Sequence, residues 1–208
     1  MQTQIPLLVR PDAAALLTRI DAFFRARGIE PYLVGGYVRD AFIGRPSRDV
    51  DLTLAGNIIT IGRQMADALH GTFVLLDEAH QVIRVIVPIG AERWNLDLSA
   101  IRGTIEEDLS RRDFTVDAIA VKLCPIQPGL NRMTAIDPLA GVPDIQAKLI
   151  RAASDTIFRD DPVRLLRAFR LAAELGFSVT PETESLVQRD GFLIPLISGE
   201  RIHDELGR

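Results

Sequence analysis

The sequence predicts an α+β fold, with strands and helices interleaved over the first 150 residues or so and helices alone after that. Three observations lead there. Short runs rich in Val, Ile and Leu recur at strand length between residues 31 and 99. Apolar residues at helical spacing open the chain and recur between two of those runs. From residue 155 onward the helical period is unbroken.

Taken in order, residues 12–27 place Leu16, Leu17, Ile20, Phe23 and Phe24 on one helical face, with Gly28 as the stop. Residues 31–34 read as a strand, followed by a Gly35-Gly36 turn and a short helix over 37–42. A second strand covers 50–54 and a helix 58–69. Three strands follow at 72–76, 81–87 and 93–99, with a hairpin turn at 77–80. Residues 106–110 and 115–120 read as helical or helix-flanked, and 131–143, rich in Pro and Gly, as a loop. Helices are expected at 162–175, 181–189 and 198–206. The chain therefore divides into an α/β domain at 1–150 and a helical domain at 151–208. The last helix carries an apolar face in want of cover, which is met either by that helix packing back on the domain or by further chain, the sequence then being the front part of a longer protein.

Nearly half of the 208 residues are apolar, which supports a sizeable core and excludes global disorder. No apolar run is long enough to span a bilayer, and residues 1–4 lack the pattern of a signal peptide. Cys124 is the only cysteine, which excludes an internal disulfide and a thiolate cluster, and a cytoplasmic protein is expected. His70, His80 and His203 show no ligand spacing. The net charge of −4 does not by itself suit a nucleic-acid partner, but the arginines are gathered at 39–48, 111–112 and 159–170.

Asp49 and Asp51 carry the chemistry. At i and i+2 of a strand, two carboxylates share one face, and like charges that close call for a cation between them. Mg²⁺ suits hard carboxylate oxygens and is commonly shared with phosphates. Just upstream, Gly35 and Gly36 lead from a strand into a helix N-terminus, where backbone N–H groups can face an anion. Arg39, one turn in, has donors suited to phosphate oxygens. An isolated Asp-x-Asp is more often a solvated strand end, and Gly-Gly more often a plain turn. It is their order and spacing that point to a metal beside a phosphate cradle. Asp97 is a candidate third carboxylate on a neighbouring strand. Further on, Arg112 can hold phosphate oxygens and Asp113 a ribose hydroxyl, although an Arg-Arg-Asp cluster also suits a salt-bridged surface. Asp160 or Asp161 suits the cap of a helix begun by Pro162, yet Asp161 with Arg164 three residues on also offers an acceptor and a donor to the edge of a base. At about 100° per residue, Arg167 lies about 120° and Arg170 about 180° from Asp161, so Arg170 suits a shared ligand least.

As a set these segments resemble the class II tRNA nucleotidyltransferase and bacterial poly(A) polymerase family. The resemblance rests on Leu33-Val34-Gly35-Gly36-Tyr37-Val38-Arg39-Asp40, on Arg48-Asp49-Val50-Asp51-Leu52, and on Glu107-Asp108-Leu109-Ser110-Arg111-Arg112-Asp113-Phe114-Thr115. Asp137-Pro138-Leu139-Ala140-Gly141 and Asp160-Asp161-Pro162-Val163-Arg164-Leu165-Leu166-Arg167-Ala168-Phe169-Arg170 complete it, and residues 200–206 look like the family's next helix. It implies a catalytic head built on a mixed or antiparallel nucleotidyltransferase sheet, then a helical neck. By the same resemblance Asp49, Asp51 and Asp97 are the catalytic, Mg²⁺-binding carboxylates. Gly35, Gly36, Arg39, Arg112 and Asp113 contact the nucleotide. Asp161 and Arg164 template the incoming base, with Arg167 and Arg170 as further contacts. The implied reaction joins CMP or AMP, from CTP or ATP, to an RNA 3′ end, in the first place that of tRNA, releasing pyrophosphate.

Three positions depart from the family pattern. Asp117 stands where Asn is usual, and Asp160 where Glu is common. The connector at 101–106 is shorter than the flexible loop that many members carry there, a feature of enzymes that add only CC. A poly(A) polymerase shares every motif named. A small-molecule nucleotidyltransferase would share Gly-Gly and Asp-x-Asp without the Arg-Arg-Asp-Phe-Thr and Asp-x-x-Arg segments, and a non-catalytic nucleotide- or RNA-binding regulator would not need the three aspartates.

Overall fold

The structure, a computed structural model, describes residues 2–207. The chain parts into two compact units, one of residues 1–109 and 119–137, the other of 110–118 and 138–208. Residues 110–118 and 138–150 thus group with the helices.

The first unit holds β1 (Gln2–Val9), α1 (Pro11–Arg25), β2 (Tyr32–Val34), α2 (Gly35–Ile43), β3 (Asp49–Leu54) and α3 (Ile58–Leu69). β4 (Thr72–Asp77), β5 (Val82–Ile89), β6 (Glu92–Ala100), α4 (Ile105–Leu109), β7 (Ala120–Lys122) and β8 (Gly129–Ile136) complete it. The strands form one sheet in the order β1-β8-β7-β2-β3-β6-β5-β4. All neighbours are antiparallel except β3 and β6, which run parallel, so the sheet is mixed.

Alternation along the central strands sorts their side chains by face. Val50 and Leu52 of β3, Ile83, Val85 and Val87 of β5, and Trp94, Leu96 and Leu98 of β6 are fully buried. α3 packs on that side, its Gly62 so close to Ile83 that an added β-carbon would lie 2.6 Å from the Ile83 side chain. α3 is bounded as its sequence suggests. The Asn57 side chain accepts a hydrogen bond from the Thr60 N–H at 2.9 Å, and His70 ends the helix in the left-handed region at φ 55°. The opposite face of β3, β5 and β6 carries Asp51, Arg84, Asn95 and Asp97, all partly exposed.

Four sequence expectations are corrected here. Residues 131–143 are not a loop: β8 pairs along the whole of β1, and Gly141–Ala147 is a helix. Residues 115–120 are a single 3-10 turn at Thr115–Asp117 running into β7. The Gly-Gly turn is absent because Gly35 and Gly36 already form the first turn of α2. β1 itself was not expected. Its Pro6 argues against a central strand, but β1 is an edge, where a missing N–H is tolerated.

The second unit comprises the 3-10 turn at Thr115–Asp117, α5 (Gly141–Ala147), β9 (Leu149–Ile150), α6 (Ile157–Asp160), α7 (Arg164–Leu175), β10 (Ser178–Val179), α8 (Pro181–Asp190), a second 3-10 helix (Gly191–Leu196) and α9 (Gly199–Leu206). The helical stretch is interrupted by β10, which pairs parallel with β9. Phe114 and Phe158, both fully buried, meet with ring centroids 6.5 Å apart. Thr115 donates to Asp144 at 2.7 Å, which ties the 3-10 turn to α5.

Candidate active site

The register of the parallel pair fixes the acidic face of the first unit. Asp49 lies opposite Asn95, and Asp51 opposite Asp97. Asp97 in turn lies opposite Arg84 across the antiparallel β5–β6 pair. Asp49 and Asp51 therefore share a face as their spacing predicts, with Asp97 on the adjacent strand.

Their side chains nevertheless go to different partners. Asp97 accepts two hydrogen bonds from Arg84, Nε to Oδ1 and Nη2 to Oδ2, both at 2.7 Å. Asp49 accepts from the Asn95 amide at 2.7 Å. Among the described residues no group of three or more His, Cys, Asp or Glu is placed to hold a metal ion. Hydrogen bonding to Asp97 raises the pKa of Arg84, and the charges of Asp49 and Asp51 add to the effect. Arg84 thus feels all three carboxylates.

Gly36 faces the same place. A β-carbon there would sit 3.5 Å from both Asp51 Oδ2 and an Arg39 Nη. The glycine leaves a small hollow between a carboxylate and a buried guanidinium. Arg39 is only 6% exposed and its charge is matched by Asp40 at 2.9 Å. Gly35 precedes it at φ 62° and donates its N–H to the Ile119 carbonyl at 3.1 Å, which anchors the start of α2. Arg48 is engaged with Glu92.

Mg²⁺ is held in many phosphoryl-transfer sites by one or two carboxylates, with water and substrate phosphates completing its octahedron. Asp49 and Asp51 fit that requirement in donor chemistry and in sharing one strand face, with Asp51 next to the hollow at Gly36.

The second unit carries the other predicted residues. Asp161 accepts from the Val163 N–H at 3.3 Å just ahead of α7, whose N-cap is Val163 and carries no side-chain cap, so the helix starts two residues later than Pro162. Asp161 also makes a two-pronged pair with Arg201 of α9, at 3.0 and 2.8 Å. Burial pushes the Asp161 carboxyl up, but Arg201 outweighs it and holds the group below the usual carboxylate range. Arg164, partly exposed, reaches the Ile157 carbonyl at 3.4 Å and adds to the positive field on Asp161. Arg112 is partly exposed and Asp113 buried. Asp113 accepts from Arg167 at 2.7 Å. Arg167 also bonds Glu205, as does Arg170 at 2.6 Å, and Arg170 bonds Glu174 as well. Arg167 and Arg170 are therefore held in a framework of carboxylates, with Arg164 on the same helix outside it.

Sequence reasoning assigned no role to Arg84, Asn95, Arg201 or Glu205. The first two become visible only once the strand register is known. Arg201 and Glu205 lie in a segment noted as the family's next helix, without a partner in view.

Fold and carboxylate-bearing strand together define a nucleotidyltransferase-type domain. The poly(A) polymerase head domain family matches residues 31–103 and 88–151. The chain belongs to the class II tRNA nucleotidyltransferase and bacterial poly(A) polymerase family. It is 36% identical to a CC-adding tRNA nucleotidyltransferase of Geobacter sulfurreducens, over 94% of this chain and 44% of that protein. The Thermotoga maritima CCA-adding enzyme complexed with tRNA superposes with a TM-score of 0.83 at 30% identity, covering 99% of this chain and 50% of that one. A CCA-adding enzyme in complex with CTP gives a TM-score of 0.78 at 31% identity, covering 95% and 46%. The chain thus spans about half the length of these relatives or less.

Proposed function

We propose that this chain is the catalytic and nucleotide-selecting part of an RNA nucleotidyltransferase that extends the 3′ end of tRNA with CMP, or with CMP and AMP. The 3′-hydroxyl oxygen bonds to the α-phosphorus of CTP or ATP, the bond from that phosphorus to the bridging oxygen breaks, pyrophosphate leaves and the hydroxyl proton passes to solvent. The observation that carries this reading is the Asp49–Asp51 pair on one face of β3, with Asp51 beside the hollow at Gly36 and Arg39. Residues 1–150 are read as the head and 151–208 as the beginning of the neck, in a cytoplasmic protein. Among the described residues no helix is long and apolar enough to cross a membrane.

Asp49 and Asp51 would hold Mg²⁺, which when bound lowers the pKa of the attacking hydroxyl and neutralises charge on the phosphates. The open face at Gly36 lets a triphosphate approach the α2 N-terminus, where Arg39 adds positive charge already fixed in place by Asp40. Asp161 and Arg164 present an acceptor and a donor to the base, with Arg201 fixing the Asp161 carboxylate so that it need not reorganise on binding. Arg167 and Arg170 position this surface through Glu205 rather than serving as loose phosphate donors.

Addition of CC only is the finer reading. Between β6 and α4 the connector comprises just residues 101–104, too short to form a long flexible loop. The test is incubation of the complete protein with tRNA lacking its 3′ end and one labelled nucleotide at a time. CMP incorporation is expected, lost by at least about 100-fold in Asp51→Asn, on the scale of losing a group that holds a catalytic metal. Strong AMP addition after CC would overturn the CC-only reading, and full activity of Asp51→Asn the catalytic one.

A further inference from the structure

Resting on that reading, we propose that Arg84 is a positioning residue that limits the Asp49–Asp51 site to two metal-binding carboxylates, by holding Asp97 as its own counter-ion. Asp97 lies in register with Asp51, one strand spacing away, near enough to serve as a third ligand. It faces Arg84 instead, in the parallel two-bond geometry that makes arginine–carboxylate pairs strong. Arg84 is directly opposite Asp97 in the β5–β6 ladder and its side chain is only 31% exposed, so the pairing is set by backbone register more than by chance side-chain contact. Asn95 acts in parallel on Asp49, offering a neutral donor that steadies the carboxylate without taking its charge.

The consequence is chemical. Affinity for a hard divalent ion rises with the number of carboxylates that reach it. Three converging carboxylates would retain the ion in the nucleotide-free protein. Two carboxylates beside a fixed guanidinium hold it weakly, so that triphosphate oxygens are needed to complete the shell. Metal and nucleotide then arrive and leave together, which suits an enzyme that releases pyrophosphate at each turnover. Arg84 is in this view a determinant of metal–nucleotide coupling and touches neither substrate nor reacting atoms.

The test is binding of Mn²⁺ to the nucleotide-free protein, followed by the electron-paramagnetic signal of the free ion, in wild type, Arg84→Gln, Arg84→Lys and the double variant Arg84→Gln/Asp97→Asn. Arg84→Gln is expected to tighten Mn²⁺ binding on the order of tenfold, because a repelling charge is removed and a ligand freed. Arg84→Lys keeps the charge and should stay near wild type, and adding Asp97→Asn to Arg84→Gln should restore the weak binding. Weaker or unchanged binding in Arg84→Gln overturns the proposal, as does a double variant that binds as tightly as the single one. Asp51→Asn separates the two levels. If wild-type Mn²⁺ binding does not depend on Asp51, the metal-site reading itself fails. If it depends on Asp51 but is indifferent to Arg84, only this inference fails. Trp94 fluorescence, from the single tryptophan buried in the first unit, confirms that each variant is folded.

Discussion

Adjacent glycines at the start of α2 do different work, and substitution separates them. Gly35 sits at φ 62°, where an L side chain costs roughly 1–2 kcal/mol. Gly35→Ala should therefore lower the urea midpoint followed by Trp94 fluorescence, by an amount equivalent to roughly that energy. Gly36 does not lie at positive φ, and an added β-carbon would make only ordinary contacts, at 3.5 Å, with Asp51 and Arg39. Gly36→Ala should leave the midpoint unchanged or slightly raised, since Ala favours a helix over Gly by about 0.5–1 kcal/mol. Its effect should fall on CTP affinity measured by calorimetry, because the methyl fills the hollow between carboxylate and guanidinium. Equal loss of stability in both variants would show that Gly36 is a backbone requirement and the hollow incidental. At this scale the sequence was most readable: a two-residue spacing on a strand states which side chains share a face. It could not state that Asp97 would turn to Arg84, because that depends on which strand lies next and in what register.

Between elements, the decisive feature is the framework joining α7 to α9. Arg167 bonds both Asp113 and Glu205, and Arg170 bonds Glu205 as well, with Asp113 and Glu205 only 8% and 5% exposed. Removing one partner of a buried pair leaves an uncompensated charge, at about 3–5 kcal/mol when burial is complete. A third of the Arg167 side chain reaches solvent, so Arg167→Ala is expected to cost less, about 2–3 kcal/mol, in a urea titration. Burial alone would raise the Asp113 carboxyl, but the Arg167 charge outweighs it and holds the group below its ordinary value. Being depressed in the folded state, Asp113 adds stability that is complete above the unfolded value of about 3.9 and is lost as pH falls from there toward the folded value. Wild-type protein should therefore lose stability below about pH 4, with a shallower dependence in Arg167→Ala. Parallel curves for the two proteins would mean that other carboxylates govern the acid limit. None of this framework joining α7 to α9 was legible in the sequence, where Arg167 and Arg170 were expected as further nucleotide contacts. Asp113 and Glu205 lie 35 to 54 residues away from them, and only the Arg170–Glu174 pair is local.

For the molecule as a whole, the sheet closes through the segment that sequence reading did not recognise. β1 pairs residue by residue with β8, and neither carries a clear strand signature. β1 contains Pro6, while β8 contains Gly129 and Asn131, and its inward positions are filled by Met133 and the small Ala135 rather than by β-branched residues. The alternation was present but weak, and turn-forming residues outweighed it. Yet Ile5, Leu7 and Val9 of β1 are each at most 2% exposed. Burying three such side chains is worth roughly 5–9 kcal/mol at about 1.5–3 kcal/mol each, comparable with the entire stability of an ordinary domain. Deleting residues 1–9 should accordingly leave a protein without a cooperative Trp94 unfolding transition, even though Trp94 lies on β6, four strands away from β8 in the sheet order. It would also leave β8 as an unpaired edge, inviting aggregation. Retention of a sharp transition, with a midpoint within about 1 kcal/mol of wild type, would show that β1 is an ornament on a sheet already complete without it. The position of the loss matters for function too, because β7 and its partner β2, which carries the chain into the α2 N-terminus at Gly35, lie between that edge and the carboxylate strand β3. A destabilised edge is therefore expected to weaken CTP binding in the same deletion before any site residue has been changed.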